Sequence, residues 1–248
     1  MKILVISDIH GNIDSLRAVE AEEGNFDRVL CVGDVVDWGW NPCEVIDWLR
    51  DHDAIVVAGN HDGEIIERYD KPEREPIGQE TSYASHTVNQ LTPDRVEWLR
   101  ALPEQQIVTL DGVTYCMRHA VVISETVNPI HDALVDHRII PYFHELWSRF
   151  VGNFDEHPRR RLLLGHSHRC YMLQAGKNEM YINPGSMHYR MCADAATHGA
   201  DYIVIRDGIA EMKHVDYPTA HLRRRIEMSN FPEEIRRPAL VYAGSEVD

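Results

Sequence analysis

Lys2-Ile3-Leu4-Val5-Ile6-Ser7-Asp8-Ile9-His10-Gly11-Asn12 opens the chain with a β-branched, apolar run that stops at an acid, an imidazole and a glycine. An unbroken run of this kind reads as a strand buried on both faces, the pattern of a parallel sheet. Asp8 and His10 then stand beyond its carboxyl end, where ligands gather in open α/β sheets. The same reading applies to Arg28–Val32, followed by Gly33-Asp34, and to Ala54–Ala58, followed by Gly59-Asn60-His61-Asp62. Amphipathic helices are expected after the first two strands, at Ile13–Glu23 and Pro42–Arg50, with Pro42 suited to a first helical turn.

Further along, helices are expected at Glu64–Tyr69, Glu80–Leu91 and Pro93–Leu102, the last capped by Thr92. Gln106–Leu110 and Val113–Met117 read as a hairpin across Asp111-Gly112, and Tyr202–Arg206 and Ile209–His214 as another across Asp207-Gly208. Arg161–Leu164, Cys170–Gln174 and Glu179–Ile182 read as strands. Thr219–Leu240 reads as helix broken at Pro232 and Pro238. With no repeat or linker, the chain is expected to be one α/β domain over residues 1–248. Segments 64–92 and 119–160 would shape a pocket, and 216–248 would form a helical tail.

The 248 residues are 44% hydrophobic and 26% charged, as in a globular chain with a substantial core. Their formal charge of −15 disfavours nucleic acid and anionic membranes as partners. It would also repel a phosphate ester unless a local positive centre intervened, and bound divalent cations are such a centre. Five cysteines without a C-x-x-C pair point to a reducing compartment. The first apolar run is too short for a signal sequence, and no segment nears the roughly 18 apolar residues of a membrane span. A cytoplasmic protein is expected.

Fifteen histidines are present. A lone histidine at a strand end is more often a hydrogen-bonded structural residue than a ligand. Paired spacing alters that balance: Asp8 with His10, and His166 with His168, are two apart, which in extended chain directs both side chains to one face. Asp34 supplies an anionic oxygen able to bridge two cations, Asn60 a neutral carbonyl, and His119 another imidazole. Mixed oxygen and imidazole donors suit transition metals more than calcium, and the absence of thiolates disfavours a structural zinc site.

Asp8-Ile9-His10, Gly33-Asp34, Gly59-Asn60-His61-Asp62, His119 and Gly165-His166-Ser167-His168, in this order, resemble the five motifs of the calcineurin-like metallophosphoesterases. Asp8-Ile9-His10-Gly11-Asn12 and Asn183-Pro184-Gly185-Ser186 are most similar to the small bacterial and archaeal members. The resemblance implies a two-sheet β-sandwich flanked by helices, a four-layer αββα fold. It implies two divalent transition metal ions, manganese foremost, with iron, zinc, cobalt or nickel as alternatives. Asp8, His10 and His168 would hold the first, Asn60, His119 and His166 the second, with Asp34 bridging. The implied reaction is hydrolysis of a phosphate mono- or diester by in-line attack of metal-bound hydroxide. Asn60 would steady the developing charge and His61 would protonate the leaving oxygen. Asp37 would orient His61, with Asp62 as the local alternative.

Departures from the family pattern narrow the expectation. Trp38 and Ala58 stand where the protein-phosphatase branch has phosphate-gripping arginines. Ala120 follows His119 where glycine is usual, which leaves His131, His137, His144 and His188 as rival ligands. Arg118, Arg138 and Arg190 are candidate substrate-phosphate contacts, against the commoner reading of surface ion pairs. Trp38 and Trp40 could stack on an aromatic leaving group or simply pack against a loop. Arg223-Arg224-Arg225 reads as a solvated helix face. The expected partner is a small phosphorylated molecule; self-association stays open. The competing readings are a non-catalytic interaction module on the same fold and a nuclease of the same family.

Overall fold

The structure, a computed structural model, describes residues 1–121, 137–192 and 195–244. The opening strand, β1 (Lys2–Ile6), leads through Asn12 into α1 (Ile13–Glu23). The Asn12 side chain caps that helix by accepting from the Ser15 N–H at 3.4 Å. β2 (Arg28–Cys31), α2 (Pro42–Asp51), β3 (Ile55–Val56) and α3 (Asn60–Tyr69) repeat the alternation. Next come α4 (Tyr83–Gln90), α5 (Pro93–Arg100) and the hairpin of β4 (Gln105–Leu110) and β5 (Val113–Arg118). A 3₁₀ turn (His137–Tyr142), α6 (Phe143–Phe150), β6 (Arg160–Leu163), β7 (Cys170–Gly176) and β8 (Glu179–Pro184) follow. The chain closes with β9 (Arg190–Cys192), β10 (Ala195–Thr197), β11 (Ala200–Arg206), β12 (Ile209–Val215), α7 (Ala220–Glu227) and α8 (Glu233–Tyr242).

Two five-stranded mixed sheets result, in the orders β12-β11-β1-β2-β3 and β4-β5-β6-β8-β7, with β9 and β10 as a separate hairpin. Within the first, β1, β2 and β3 run parallel, and β11 joins β1 antiparallel with Ile3 opposite Ile205. In the second, β5, β6 and β8 run parallel between antiparallel edges.

The period of two explains the layers. Ile3, Val5, Leu30 and Val32 turn toward the other sheet and meet Tyr115, Met117, Leu163 and Ile182 between the two. Leu4, Ile6, Val29 and Cys31 turn the opposite way, into a core with Leu16, Val45 and Ile46 of the covering helices. Cys116, Leu162 and Tyr181 face outward from the second sheet onto Phe143 and Trp147 of α6. Each such fully buried aliphatic or aromatic side chain contributes about 1.5–3 kcal/mol. The resemblance's four-layer sandwich is the observed architecture.

Differences from the sequence reading have local causes. The third strand shrinks to Ile55–Val56, and Ala58 N donates to Pro103 O at 2.9 Å rather than to β2. In the tail, Pro232 precedes α8, as expected of a break, but Pro238 lies inside that helix. Pro238 is exposed, so the carbonyl left without its N–H partner can turn to water. The β9–β10 pair was not foreseen; strands of three residues each carry little periodic signal. No helix among the described residues is long and apolar enough to cross a membrane.

Candidate metal centre

Parallel strands of both sheets end at one place, and their loops carry the singled-out residues. The loops after β1 and β2 are clasped by backbone bonds from Asp8 N to Gly33 O (3.0 Å), His10 N to Asp34 O (3.0 Å) and Gly11 N to Val35 O (2.9 Å). Gly165 N donates to His119 O at 2.9 Å, joining the loops after β5 and β6. The Asn183–Ser186 turn ties both sides together: Asn183 Nδ2 donates to Gly165 O (2.8 Å) and Ser186 Oγ to Asp8 O (3.0 Å). Ser186 is therefore a fully buried brace.

Seven of the ten described non-glycine residues with positive φ lie here: Asp8, His10, Asp34, Asp37, Trp38, His166 and His168. Left-handed backbone at such residues costs on the order of 1–3 kcal/mol each and gathers at functional sites. These segments are therefore not the extended chain that the two-residue spacing implied. Asp8 and His10, and likewise His166 and His168, converge through two left-handed residues around one intervening position.

Close approach also explains the motif glycines. A Cβ at Gly59 would stand 2.0 Å from Asp34 Oδ1, and one at Gly165 would stand 2.2 Å from Ser7 Oγ.

Two donor groups form. Asp8, His10 and His168 bring their ligand atoms within 4.8 Å of one another, and so do Asp34, His119 and His166. In the first, His168 Nε2 is 3.2 Å from Asp8 Oδ1 and 3.2 Å from His10 Nε2. In the second, His119 Nε2 lies 3.1 Å from Asp34 Oδ2, while His166 Nδ1 lies 3.3 Å from His119 Nε2 and 2.8 Å from Asn60 Oδ1. Asp34 Oδ2 also comes within 3.8 Å of His10 Nε2, so this one carboxylate reaches both groups. All seven sequence-derived ligand candidates meet.

The donor set fits cations. Asp8 and Asp34 are 0% and 1% exposed, and among the described residues no lysine or arginine pairs with either. Buried carboxylates whose nearest partners are only imidazoles, with no permanent counter-charge, are costly unless a cation or proton joins them. Two ring nitrogens facing each other at 3.2 Å likewise need a proton or a cation between them. Burial pulls the His119 pKa down, but the charge and hydrogen bond of Asp34 carry it up to about 10. The carboxylate that draws a proton onto His119 would draw a metal ion in its place. His119 Nδ1–H donates to Val32 O at 2.7 Å, which leaves its Nε2 lone pair for the cluster. By contrast, burial, reinforced by the neighbouring His168 and His61 rings, holds His10 well below the usual imidazole value despite Asp34 and Asp8.

The first group is enclosed, whereas the second opens outward: Asn60 is exposed and His166 half-buried. His61 stands at this mouth with its side chain 19% exposed. Its backbone N–H, at the start of α3, donates to Asp34 Oδ1 at 2.9 Å. Its Nδ1–H donates to Asp37 Oδ2 at 2.9 Å.

Of the two acids that sequence left open as the partner of His61, it is Asp37 that bonds the ring. Asp62 accepts the N–H groups of Val35 (2.9 Å), Val36 (3.1 Å) and Gly59 (2.9 Å) instead. From the third position of α3 it takes the N-cap N–H of Gly59, and it is the clasp of the Asp34 loop. Burial and the charge of Asp34 push its pKa up to about 7, so its ionised form rests on those three donors. Asp62→Ala is expected to lower unfolding stability by about 3 kcal/mol in urea titrations, because buried donors lose their acceptor.

Other candidates fall elsewhere. Arg118 bonds Gln105 Oε1 at 3.1 Å and lies over the Phe150 ring, 4.5 Å from its centroid; none of its contacts is with the cluster. The surface-contact reading accounts for it, and substrate binding is not supported. Arg190 lies in β9, but its side chain, like those of Arg138 and His137, is outside the described residues, as is His131 entirely. His144 pairs with Glu179 at 2.9 Å on the second sheet. His188 approaches His10 ring to ring at 6.0 Å without joining either donor group. Sequence reading missed Tyr189 and Tyr242, which stack on each other at 4.0 Å beside Trp38. No motif marks them.

Comparison with known proteins agrees with this architecture. A protein of Methanocaldococcus jannaschii, "Uncharacterized protein MJ0912", is 26% identical over 247 residues, covering 93% of this chain and 94% of that one. The crystal structure of a metallophosphoesterase from Sphaerobacter thermophilus superposes with a TM-score of 0.70 at 21% identity, covering 98% of this chain and 100% of that chain. That of hypothetical protein PH1004 from Pyrococcus horikoshii OT3 gives 0.70 at 19% identity, with 99% of each covered. Both share the fold. Residues 1–202, which carry every motif of the site, match the calcineurin-like phosphoesterase superfamily domain, and the chain belongs to that superfamily.

Proposed function

We propose that this protein is a dinuclear metal-dependent phosphoesterase acting on a small phosphorylated molecule. The observation that carries this reading is Asp34 Oδ2, 3.1 Å from His119 Nε2 and 3.8 Å from His10 Nε2, one carboxylate common to two donor groups. Asp8, His10 and His168 would hold one cation and Asn60, His119 and His166 the other. Nitrogen and oxygen donors without a thiolate suit manganese, with iron, zinc, cobalt or nickel as alternatives. When bound, a pair of such cations supplies a nucleophile near neutral pH and neutralises charge on the phosphoryl oxygens.

The chain's own groups supply the rest. Asp37 fixes the His61 ring through Nδ1–H, which leaves Nε2 free to serve the departing oxygen. Burial pulls the His61 pKa down, but in the metal-free protein the Asp37 hydrogen bond and the charge of Asp34 carry it up to about 9; with cations on Asp34, the Asp37 bond is what would hold a proton on the ring. Trp38 stands edge-to-face against His61 at 5.4 Å, which limits its rotation. Asn60 presents its carbonyl to the cluster, while its amide nitrogen faces Glu64 at 3.5 Å. The net charge of −15 supports a small substrate drawn by the cations over nucleic acid.

The test strips metal with a chelator, restores manganese, and follows hydrolysis of 4-nitrophenyl phosphate and bis(4-nitrophenyl) phosphate. Activity is expected to vanish and return. Hydrolysis indifferent to chelation would contradict the reading; two bound metals without turnover on either ester would favour an interaction module. Chelation should also lower thermal stability. A cation at a hundred times its Kd contributes about 2.7 kcal/mol, which for a chain of this size corresponds to about 5–10 °C in Tm by calorimetry.

A further inference from the structure

The two imidazoles of the first donor group lack what usually orients a metal-binding histidine. Such a ring ordinarily donates its other N–H to a carbonyl or carboxylate, as His119 does to Val32. The Nδ1 atoms of His10 and His168 are buried and have no hydrogen-bond partner among the described residues. Rings pack against them instead. Trp38 stacks on His10 with centroids 5.5 Å apart and planes 25° apart. Tyr189 lies 4.4 Å from His168. Both of these rings are backed by one further residue, Tyr242, parallel to Tyr189 at 4.0 Å and 7° and to Trp38 at 6.2 Å and 5°.

Tyr242 ends α8, beyond the stretch that matches the superfamily domain. The helix is anchored by Ala239 and Ala243, which pack with Ile226 of α7 against Trp40 and Tyr83. α8 therefore delivers a flat ring onto the two aromatic residues that pack on His10 and His168. Tyr189 is held from the other side, its N–H reaching Ser186 Oγ at 3.3 Å. Trp38 has left-handed backbone directly after Asp37.

We propose that Tyr242 is a positioning residue for the first metal group: it clamps Trp38 and Tyr189, whose rings fix the imidazoles of His10 and His168. This rests on the reading that Asp8, His10 and His168 hold a cation. Stacked aromatic contacts have preferred geometry and depend on a flat face rather than on volume alone. Removing a group that orients a ligand typically weakens metal binding 10–100-fold.

The experiment titrates metal-free protein with manganese, by calorimetry and by elemental analysis after gel filtration, for the native chain and Tyr242→Phe, Tyr242→Leu and Tyr242→Ala. The Phe variant should match the native chain within about twofold. Leu and Ala should bind one equivalent about tenfold or more weakly and leave the other unchanged, with the Tm of the metal-free protein nearly constant for Leu. Equal affinity at both sites in the Leu and Ala variants overturns the proposal, as does a Phe variant as weak as Ala. Loss of the fold in both Leu and Ala also overturns it, since the residue would then hold the fold and not the site. If the native chain binds no metal, the metal-centre reading itself fails, a result distinct from any of these.

Discussion

Asp34→Asn is expected to reduce hydrolysis of 4-nitrophenyl phosphate by about a thousandfold or more. Asp34 is the one group whose oxygen reaches both donor sets, 3.1 Å from His119 Nε2 and 3.8 Å from His10 Nε2. The amide keeps the size and retains a carbonyl for the His61 N–H, so the fold should persist. It removes the negative charge that both cations would share. Elemental analysis should accordingly show less than two metals per chain. Turnover within tenfold of the native protein would remove Asp34 from the centre of the mechanism.

His61→Asn is expected to separate chemistry from metal binding. The ring lies at the mouth of the site, outside both donor groups, and its Nδ1–H is committed to Asp37 at 2.9 Å. Loss of a positioned proton donor typically costs 10²–10⁴-fold in rate. The variant should therefore bind two metals as the native chain does while kcat falls by about that factor. The fall should be smaller for a nitrophenyl ester, whose leaving group needs little protonation, than for an alkyl phosphate. An equal fall on both esters, or a parallel loss of metal, would assign His61 a structural role.

Much of the fold and of this site was legible because the signals are local. The expected helix Ile13–Glu23 has the observed bounds, and Asp111-Gly112 and Asp207-Gly208 turn the hairpins as their left-handed aspartates and glycines require. The pairing of Ile3 with Ile205 joins residues two hundred positions apart, and no period in either strand announces it. Ligand identity was legible from the five motifs, yet the geometry that makes them converge was not. Left-handed φ at Asp8, His10, His166 and His168 is imposed by the clasped loops around them.

The division of labour between Asp37 and Asp62 was hidden for a similar reason. Asp62 adjoins His61 in the chain whereas Asp37 lies 24 residues away, yet three backbone N–H groups claim Asp62 and Asp37 bonds the ring. Tyr242 carried no signal at all. A tyrosine near the end of an amphipathic helix ordinarily packs, and only the folded chain shows that it packs on the rings that contact His10 and His168.

The most direct measurement is a crystal structure of manganese-loaded protein with anomalous scattering recorded at the metal edge. Two peaks are expected, one within bonding distance of Asp8, His10 and His168 and one of Asn60, His119 and His166, with Asp34 touching both. A single peak, or two that do not share Asp34, would contradict the dinuclear centre.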